Sequence, residues 1–394
     1  MTGPCGDGCP QGTVCDFDTG KCVEPRPPDC PEDLGRYLSV AADSDGRTIF
    51  SSYTADYGDL VVGRIRSDST MSCEYVDGQG ADVGLYTSLA VDQLDRPRVA
   101  YFDRSNGRLK YAQKTAEGWD VVTVPRTGSV ENIVGRSCSL ALDSQGLPHI
   151  AFLDETAGTL NLARKASDGH WSVEVVAGAD NDDWPGTLGG EVGRMISAVL
   201  DTKDREWIAY RDIHSGAIKV AGRQPDQWSI IGVETDTDLG TWISAALDAD
   251  GNMALAYHDR DEGVLKYAWN QDGSLQKIVV DPGEEVAADG AVCKRPVGQH
   301  CALAFGRDAL PRILYLDGAS LELKLVIGNP EGGFLQPEVI SSEGAVGFFN
   351  TLAPGPDGLH AASCRYQRNG QGDFRAVMVH FRLDAGTDNL RGRP

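Results

Sequence analysis

A glycine-led motif of 30 residues recurs along the chain, and its clearest copies are Val83–Ala112, Val134–Ala163 and Leu239–Ala268. More divergent copies begin near Leu34, Val192, Val297 and Val346. The opening glycines are Gly35, Gly84, Gly135, Gly193, Gly240, Gly298 and Gly347, and the first and last are 312 residues apart, a mean spacing of 52. Because each copy of such a repeat is one structural unit that packs against its neighbours, this pattern constrains the fold more than any other feature.

Each copy contains four short segments of β-forming residues separated by turn residues. In Val134–Ala163 a Ser-Leu-Ala-Leu run ends at Asp143, an Ile-Ala-Phe run ends before Asp154, and a third run follows the next glycine. A fourth run often opens with tryptophan, at Trp119, Trp171 and Trp228. No copy has a sustained helical period. The sequence therefore predicts an all-β chain with four strands in each repeat.

Four strands in a unit of about 40–50 residues are typical of a β-propeller blade, and seven units predict a seven-bladed ring. A β-sandwich is the weaker alternative, because a sandwich does not need the same glycine and aspartate in every unit. The seventh repeat is short, and we expect a segment between Cys22 and Asp33 to supply its outer strand. This division gives a cysteine-rich segment at residues 1–30 and a propeller at residues 31–394.

The repeats resemble a widespread class of bacterial extracellular repeat proteins with the pattern S-L-A-L-D-x-x-G-x-P-x-I-A-Y-x-D-x-x-x-G-x-L-K-Y-A. The resemblance covers about residues 34–383 and implies the propeller fold. It implies no activity, since one fold hosts many functions.

Five of the ten cysteines lie in the first 30 residues, at Cys5, Cys9, Cys15, Cys22 and Cys30. Their spacing, without a histidine, favours a disulfide knot over a zinc site. Three pairings of the first four are possible, and we expect Cys5–Cys15 with Cys9–Cys22. We also predict a Cys293–Cys301 bond, and a Cys30–Cys73 bond if the N-terminal strand crosses the outer edge near blade 1. Disulfides place the protein outside the reducing cytosol, in an extracellular, periplasmic or cell-surface location, and residues 1–20 lack an apolar core, so we expect a leader to have been removed.

The formal net charge is −22. Nucleic acid and anionic membranes are poor partners for such a surface, because their phosphates would be repelled. No run of residues reaches the roughly 18–20 apolar positions that a bilayer span needs. We expect a monomer that binds a small molecule or a glycan.

In a propeller, the loops that enter the innermost strands and those that follow the second strands share one face, around the mouth of the channel. The first loop set holds the residues directly after the opening glycines. We predict substrate binding there and in a nearby loop by Arg36, Tyr37, Tyr86, Arg136, Arg194, Trp242 and Trp184. Arginine suits carboxylate, sulfate or phosphate groups, although each arginine could instead pair with an aspartate of a neighbouring blade.

Catalytic roles are predicted for His300 in the first loop set, and for Arg211 and His258, which interrupt an otherwise apolar position before the recurrent aspartate. Histidine titrates near neutrality and serves as acid, base or metal ligand. The recurrent aspartates themselves, such as Asp103 and Asp154, could ring a divalent cation, but capping of the turn that follows is the simpler interpretation.

Two repeats carry insertions, at residues 178–191 and 281–296. Asp180, Asp182 and Asp183 in the first insertion offer oxygen ligands for Ca²⁺, but their spacing is not that of an EF-hand, and a solvated acidic turn is the favoured interpretation. A divalent metal, calcium or zinc, is therefore one expected cofactor.

Two function classes remain open. A secreted hydrolase would act on an ester, phosphoester or other anionic substrate at the channel mouth, with or without a metal, and a lyase for acidic polysaccharide would use the same residues. A non-catalytic propeller would bind glycan or protein through its aromatic residues. Arginine and histidine at one mouth favour the enzyme.

Overall fold

The computed structural model describes residues 13–15, 22–23, 29–66, 69–128, 132–178, 195–212, 215–235, 242–271, 274–286, 291–370 and 372–383. All regular structure in these ranges is β-strand, turn or bend, as the repeat predicts. No helix within them is long and apolar enough to cross a membrane.

The strands form a seven-bladed β-propeller, and the predicted fold is confirmed. Blade 1 consists of Arg36–Ala42, Thr48–Thr54, Asp59–Ile65 and Met71–Asp77; blade 2 of Val83–Val91, Pro97–Asp103, Arg108–Lys114 and Trp119–Thr123; blade 3 of Val134–Leu142, Pro148–Asp154, Thr159–Lys165 and Trp171–Ala177. Blade 4 consists of Ile196–Leu200, Glu206–Arg211, Ile218–Arg223 and Trp228–Glu234; blade 5 of Ile243–Leu247, Met253–Asp259, Val264–Gln271 and Ser274–Asp281; blade 6 of Val297–Phe305, Pro311–Asp317, Glu322–Ile327 and Glu338–Ser341. Each is an antiparallel sheet whose strands pair in chain order.

Blade 7 has three strands among the described residues, Ala345–Gly355, Gly358–Arg368 and Phe374–Leu383. Residues 29–35 contain no strand, and the rest of the segment from which we expect an outer strand is mostly outside the described ranges. Glu32 nevertheless forms an ion pair with Arg375 of the third strand. The chain entering blade 1 therefore contacts blade 7, where the ring closes.

The cysteine predictions have mixed outcomes. The Cys30–Cys73 disulfide is confirmed and ties the entering segment to the outer strand of blade 1. Cys22 is also disulfide-bonded, while the pairing within the N-terminal group of cysteines stays a prediction. The predicted Cys293–Cys301 bond is wrong, because neither cysteine forms a disulfide: Cys293 is exposed on the short strand Val292–Lys294, and Cys301 is buried in the innermost strand of blade 6.

Buried tyrosines of the second strands join neighbouring blades through their hydroxyl groups. The hydroxyl of Tyr101 donates to Asp77 at 2.6 Å, and that of Tyr315 donates to Asp281 at 2.6 Å. In both pairs the acceptor belongs to the outer strand of the preceding blade. Burial and the adjacent carboxylate raise the pKa of Tyr101 well above its ordinary value, so this hydroxyl keeps its proton and remains a donor.

Serine hydroxyls of the innermost strands form a second set of inter-blade contacts around the channel. The Ser39 hydroxyl accepts a hydrogen bond from the Leu89 amide of the next blade at 3.0 Å. Equivalent bonds, between 2.9 and 3.2 Å, join Ser88 to Leu140, Ser139 to Ala198, Ser197 to Ala245, Ser244 to Leu303 and, across the closure, Thr351 to Val40. We call these six residues the hydroxyl ring. Blade 6 has Ala302 at this position, and alanine has no hydroxyl to offer.

The recurrent aspartates cap turns, which confirms the simpler interpretation. Asp103 accepts the Asn106 amide at 3.0 Å, and Asp154 accepts the Ala157 amide at 2.9 Å. The aspartates before the first turn do the same; for example, Asp92 accepts the amides of Leu94 and Arg96. These carboxylates are therefore part of the blade architecture.

Candidate functional site

The innermost strands open with an irregular backbone at the channel mouth. Register shifts follow the opening glycine in blades 1, 2, 3, 6 and 7. Two residues after that glycine, Tyr37, Tyr86, His300 and Phe349 have φ angles of 50°, 54°, 51° and 49°. Bulky residues seldom adopt this left-handed conformation, which costs of order 1–3 kcal/mol each and is concentrated at functional sites. Four equivalent positions thus turn large rings toward one place at a cost in stability.

These rings surround a cavity of about 320 Å³ at the mouth of the channel, which we call the mouth cavity. It is lined by Tyr37, Leu38, Tyr86, Thr87, Ser137, Cys138, Trp242, His300, Cys301, Phe348, Phe349, Asn350 and Tyr366. Adjacent rings are in contact: the centroid of Tyr37 is 4.5 Å from that of Tyr86 and 5.0 Å from that of Phe349. On the other side, His300 is 4.4 Å from Trp242. Among the described residues, no Asp, Glu, Lys or Arg lines this cavity.

Polar side chains of each following blade hold the backbone of the aromatic residues. The Thr87 hydroxyl donates to the Tyr37 carbonyl at 2.5 Å. The Cys138 thiol donates to the Tyr86 carbonyl at 3.3 Å, and the Cys301 thiol lies 3.6 Å from the Trp242 carbonyl. These contacts fix three rings on different blades, so the shape of the cavity depends on the closed ring.

His300 is half-buried between Trp242 and Phe349, and it is the histidine that lines the mouth cavity. Its Nδ1 accepts a hydrogen bond from the Phe349 amide at 3.1 Å. A nitrogen that accepts has no proton, so the neutral ring carries its proton on Nε2. This contact also fixes Phe349 in its left-handed conformation.

His258 lies outside this lining. Its side chain is 4% exposed, it packs edge-on against Trp242, and neither ring nitrogen has a hydrogen-bond partner among the described residues. Burial, opposed in part by Asp259 and reinforced by Arg260, lowers the pKa of His258 to about 4. The ring is therefore neutral at pH 7, and its catalytic role stays a prediction that this placement does not favour.

The buried His258 predicts that stability falls in mild acid. Its folded pKa of about 4 lies below the ordinary 6.5, so the unfolded chain binds the proton more tightly. The stabilisation is complete above the ordinary pKa and is lost as the pH falls toward the folded value. We expect the free energy of unfolding to drop by about 1 kcal/mol between about pH 7 and pH 5.5, measured by chemical denaturation. His258→Phe should lose this component, and an unchanged pH profile in that variant would contradict the assignment.

None of the described arginines of the predicted site belongs to the wall of the mouth cavity. Arg36 places its guanidinium 5.7 Å from the ring centroid of Tyr366. Arg136 pairs with the fully buried Glu155 of its own blade at 3.0 Å and borders an adjoining cavity beside Tyr37 and Tyr86. Arg211, half-buried, ends the second strand of blade 4, and its amide donates to Met195. The structure thus gathers Tyr37, Tyr86, Trp242 and His300 in one wall, and these arginines lie outside that wall.

The remaining predicted site residues, Arg194, Trp184, Asp180, Asp182 and Asp183, lie outside the described residues. The calcium prediction therefore stays a prediction. No group of three or more His, Cys, Asp or Glu side chains in the described ranges has the arrangement of a metal site.

Sequence reasoning left Phe348, Phe349, Asn350 and Tyr366 out of the predicted site. The register argument does place the two phenylalanines at the mouth, directly after the opening glycine of blade 7, but it assigns them no binding role. Asn350 donates to the Gly347 carbonyl at 2.8 Å. Tyr366 comes from the second strand of blade 7, which is longer than the other second strands, and no repeated residue marks it.

No known protein family matches the sequence, and no curated protein does. Solved structures do resemble the fold. A Bacteroides uniformis protein described as a "putative 6-phosphogluconolactonase" is 14% identical, with a TM-score of 0.51 over 90% of this chain and 98% of its own. A Lactobacillus plantarum protein is also 14% identical, with a TM-score of 0.51 over 87% and 95% of the two chains. Polysaccharide lyase Uly1 is 11% identical, with a TM-score of 0.50 over 96% and 97%. At such identities the likeness establishes a shared seven-bladed propeller fold.

Proposed function

We propose that this protein binds a neutral, ring-shaped ligand of the carbohydrate class in the mouth cavity. The observation that carries the proposal is the composition of the described wall: six aromatic side chains, one histidine, and no charged residue. Sugars present apolar C–H faces that pack on aromatic rings, and their hydroxyls need a few neutral hydrogen-bonding groups. Thr87, Ser137 and Asn350 offer such groups in the same wall.

Backbone strain supports a role in recognition. Left-handed backbone at Tyr37, Tyr86, His300 and Phe349 lowers stability and is retained at equivalent positions of four blades. A purely structural position would be filled more stably by glycine or asparagine. Fixed rings also lose little entropy when a ligand binds, which favours affinity.

This proposal corresponds to the non-catalytic, glycan-binding propeller considered in the sequence analysis. Catalysis is the second candidate function. His300 carries it: a half-buried imidazole with an oriented Nδ1 that lines the cavity and can transfer a proton. Propellers with enzyme names, such as polysaccharide lyase Uly1, share the fold. A hydrolase or lyase acting on a glycan would use the same cavity, and the Cys30–Cys73 disulfide favours a secreted location for either activity.

The test uses a panel of neutral and acidic mono- and oligosaccharides. Binding of each sugar to the full chain is measured by tryptophan fluorescence and by calorimetry. Neutral sugars should change the fluorescence, because Trp242 lies in the wall. Trp242→Phe should remove the signal while heat of binding persists, and Trp228→Phe, on the outer strand of blade 4, should keep the signal. Absence of binding to every neutral sugar, or signal loss in the Trp228 variant alone, would contradict the proposal. Analysis of the same mixtures for cleaved products tests the enzymatic candidate.

A further inference from the structure

A second cavity, of about 140 Å³, lies in the channel. We call it the channel cavity. Its wall includes the whole hydroxyl ring: Ser39, Ser88, Ser139, Ser197, Ser244 and Thr351. It shares Thr87 and Cys138 with the mouth cavity, so the two are adjacent along the channel. No charged residue belongs to the described wall.

Each hydroxyl of the ring already accepts a hydrogen bond from a backbone amide of the next blade, at 2.9–3.2 Å. Within the described part of the chain, none of these six hydroxyls has an acceptor for its own proton. Ser39, Ser197, Ser244 and Thr351 are each more than nine-tenths buried. Buried donors without an acceptor are costly and rare, so these protons need a partner that the described chain does not supply.

We propose that the channel cavity binds a small inorganic anion of the halide class. Hydroxyl-bearing residues of six blades line this cavity, and a spherical anion accepts hydrogen bonds from several O–H groups without donating in return. Water is the competing occupant because it accepts these protons too, but water alone would make the melting temperature independent of the anion. Hydrogen bonds to an ionised acceptor are about twice as strong as neutral ones, which offsets the removal of the ion from solvent. The inter-blade amides reinforce the ring, because each amide polarises the hydroxyl that it contacts.

This site would also stabilise the ring. An anion held by six blades binds the closed propeller and not the unfolded chain, so its concentration should raise the melting temperature. The mouth cavity is not required for this effect. The proposal is therefore independent of the proposed carbohydrate site.

The experiment compares thermal unfolding of the full chain in sodium chloride, sodium bromide, sodium gluconate and choline chloride at one ionic strength. Chloride and bromide should raise the melting temperature relative to gluconate, and choline chloride should match sodium chloride. Crystals grown in bromide should give an anomalous peak on the channel axis beside Ser139. The proposal would be overturned if the melting temperature depended on the cation or were equal in all four salts. It would also be overturned if bromide crystals showed no anomalous peak in the channel cavity.

Ser139→Ala tests the ring itself and should weaken chloride binding by about ten-fold, the loss of one charge-assisted hydrogen bond. The matched control is Ser52→Ala. Ser52 is buried and accepts the Gly35 amide at 2.9 Å, but it donates to the Arg36 carbonyl within its own blade. Both variants should be less stable than the parent, and only Ser139→Ala should need about ten-fold more chloride for the same rise in melting temperature. Ala302→Ser, which supplies a hydroxyl in blade 6, should strengthen chloride binding. If the parent and Ser139→Ala showed equal chloride dependence, the proposed site would be contradicted.

Discussion

Tyr37→Ala will lower the affinity for the proposed sugar ligand by about 30-fold or more, the loss of roughly 2 kcal/mol expected for a central aromatic contact. Tyr37 lines both the mouth cavity and the adjoining cavity, and its ring contacts Tyr86 and Phe349. Its removal therefore deletes a binding surface and releases two neighbouring rings. Tyr37→Phe keeps the ring and should bind within a few-fold of the parent; calorimetry with a sugar from the panel measures both.

Tyr37→Gly separates binding from folding. Glycine adopts the φ of 50° found at this position without strain, whereas alanine does not. The glycine variant should be more stable than the alanine variant by about 1 kcal/mol and should bind equally poorly. If the glycine variant instead bound like the parent, the ring of Tyr37 would have no part in recognition.

Gly84→Ala will destabilise the propeller by about 3–5 kcal/mol, through strain and overpacking together. The φ of Gly84 is +94°, and an added Cβ would lie 2.7 Å from the Cα of Leu60 in the preceding blade. Because Leu60 is held in its own sheet, neither backbone can move away cheaply. Gly135 and Gly298 pack in the same way on Leu109 and Leu265, which explains the opening glycine as a point of close approach between blades.

Gly251→Ala is the matched control. Gly251 has a φ of +80°, and an added Cβ there meets no atom within 4 Å. This variant carries the conformational cost alone, about 1–2 kcal/mol. Urea unfolding gives the free energy of unfolding of both variants. If the dependence on urea concentration is the same in both, the difference between these free energies measures the cost of the clash with Leu60. Equal losses of stability would show that strain, and not inter-blade packing, accounts for the repeated glycine.

The repeat made the fold predictable because a propeller blade is specified locally, by turn residues and alternating β-formers at fixed offsets. The position of Tyr37, Tyr86, Trp242 and His300 at one mouth followed from the same offsets. His258 shows where this reasoning stops. Its offset places it at the end of a second strand, but only packing decides that its ring is buried beside Trp242.

The partners of the arginines and the disulfide bonds of the cysteines could not be predicted from the repeat, for a related reason. Whether Arg136 faces a ligand or a carboxylate depends on Glu155, which lies outside the repeated pattern. Cys293 and Cys301 are close in sequence, yet one lies on an exposed hairpin and the other inside the innermost strand of blade 6. Sequence separation constrains a disulfide less than the direction of the strand that carries each thiol.

The residue two positions after the opening glycine differs in every pair of neighbouring blades except the first, reading Tyr, Tyr, Ser, Met, Trp, His and Phe around the mouth. The glycine before it and the hydroxyl two positions after it, which hold adjacent blades together, change much less. The repeated blade therefore presents seven positions at the mouth that can vary in residue type while the contacts between blades persist. A chain of this kind can acquire a new ligand by single substitutions at the mouth, and a library varied only at those seven positions should yield folded proteins with different specificities.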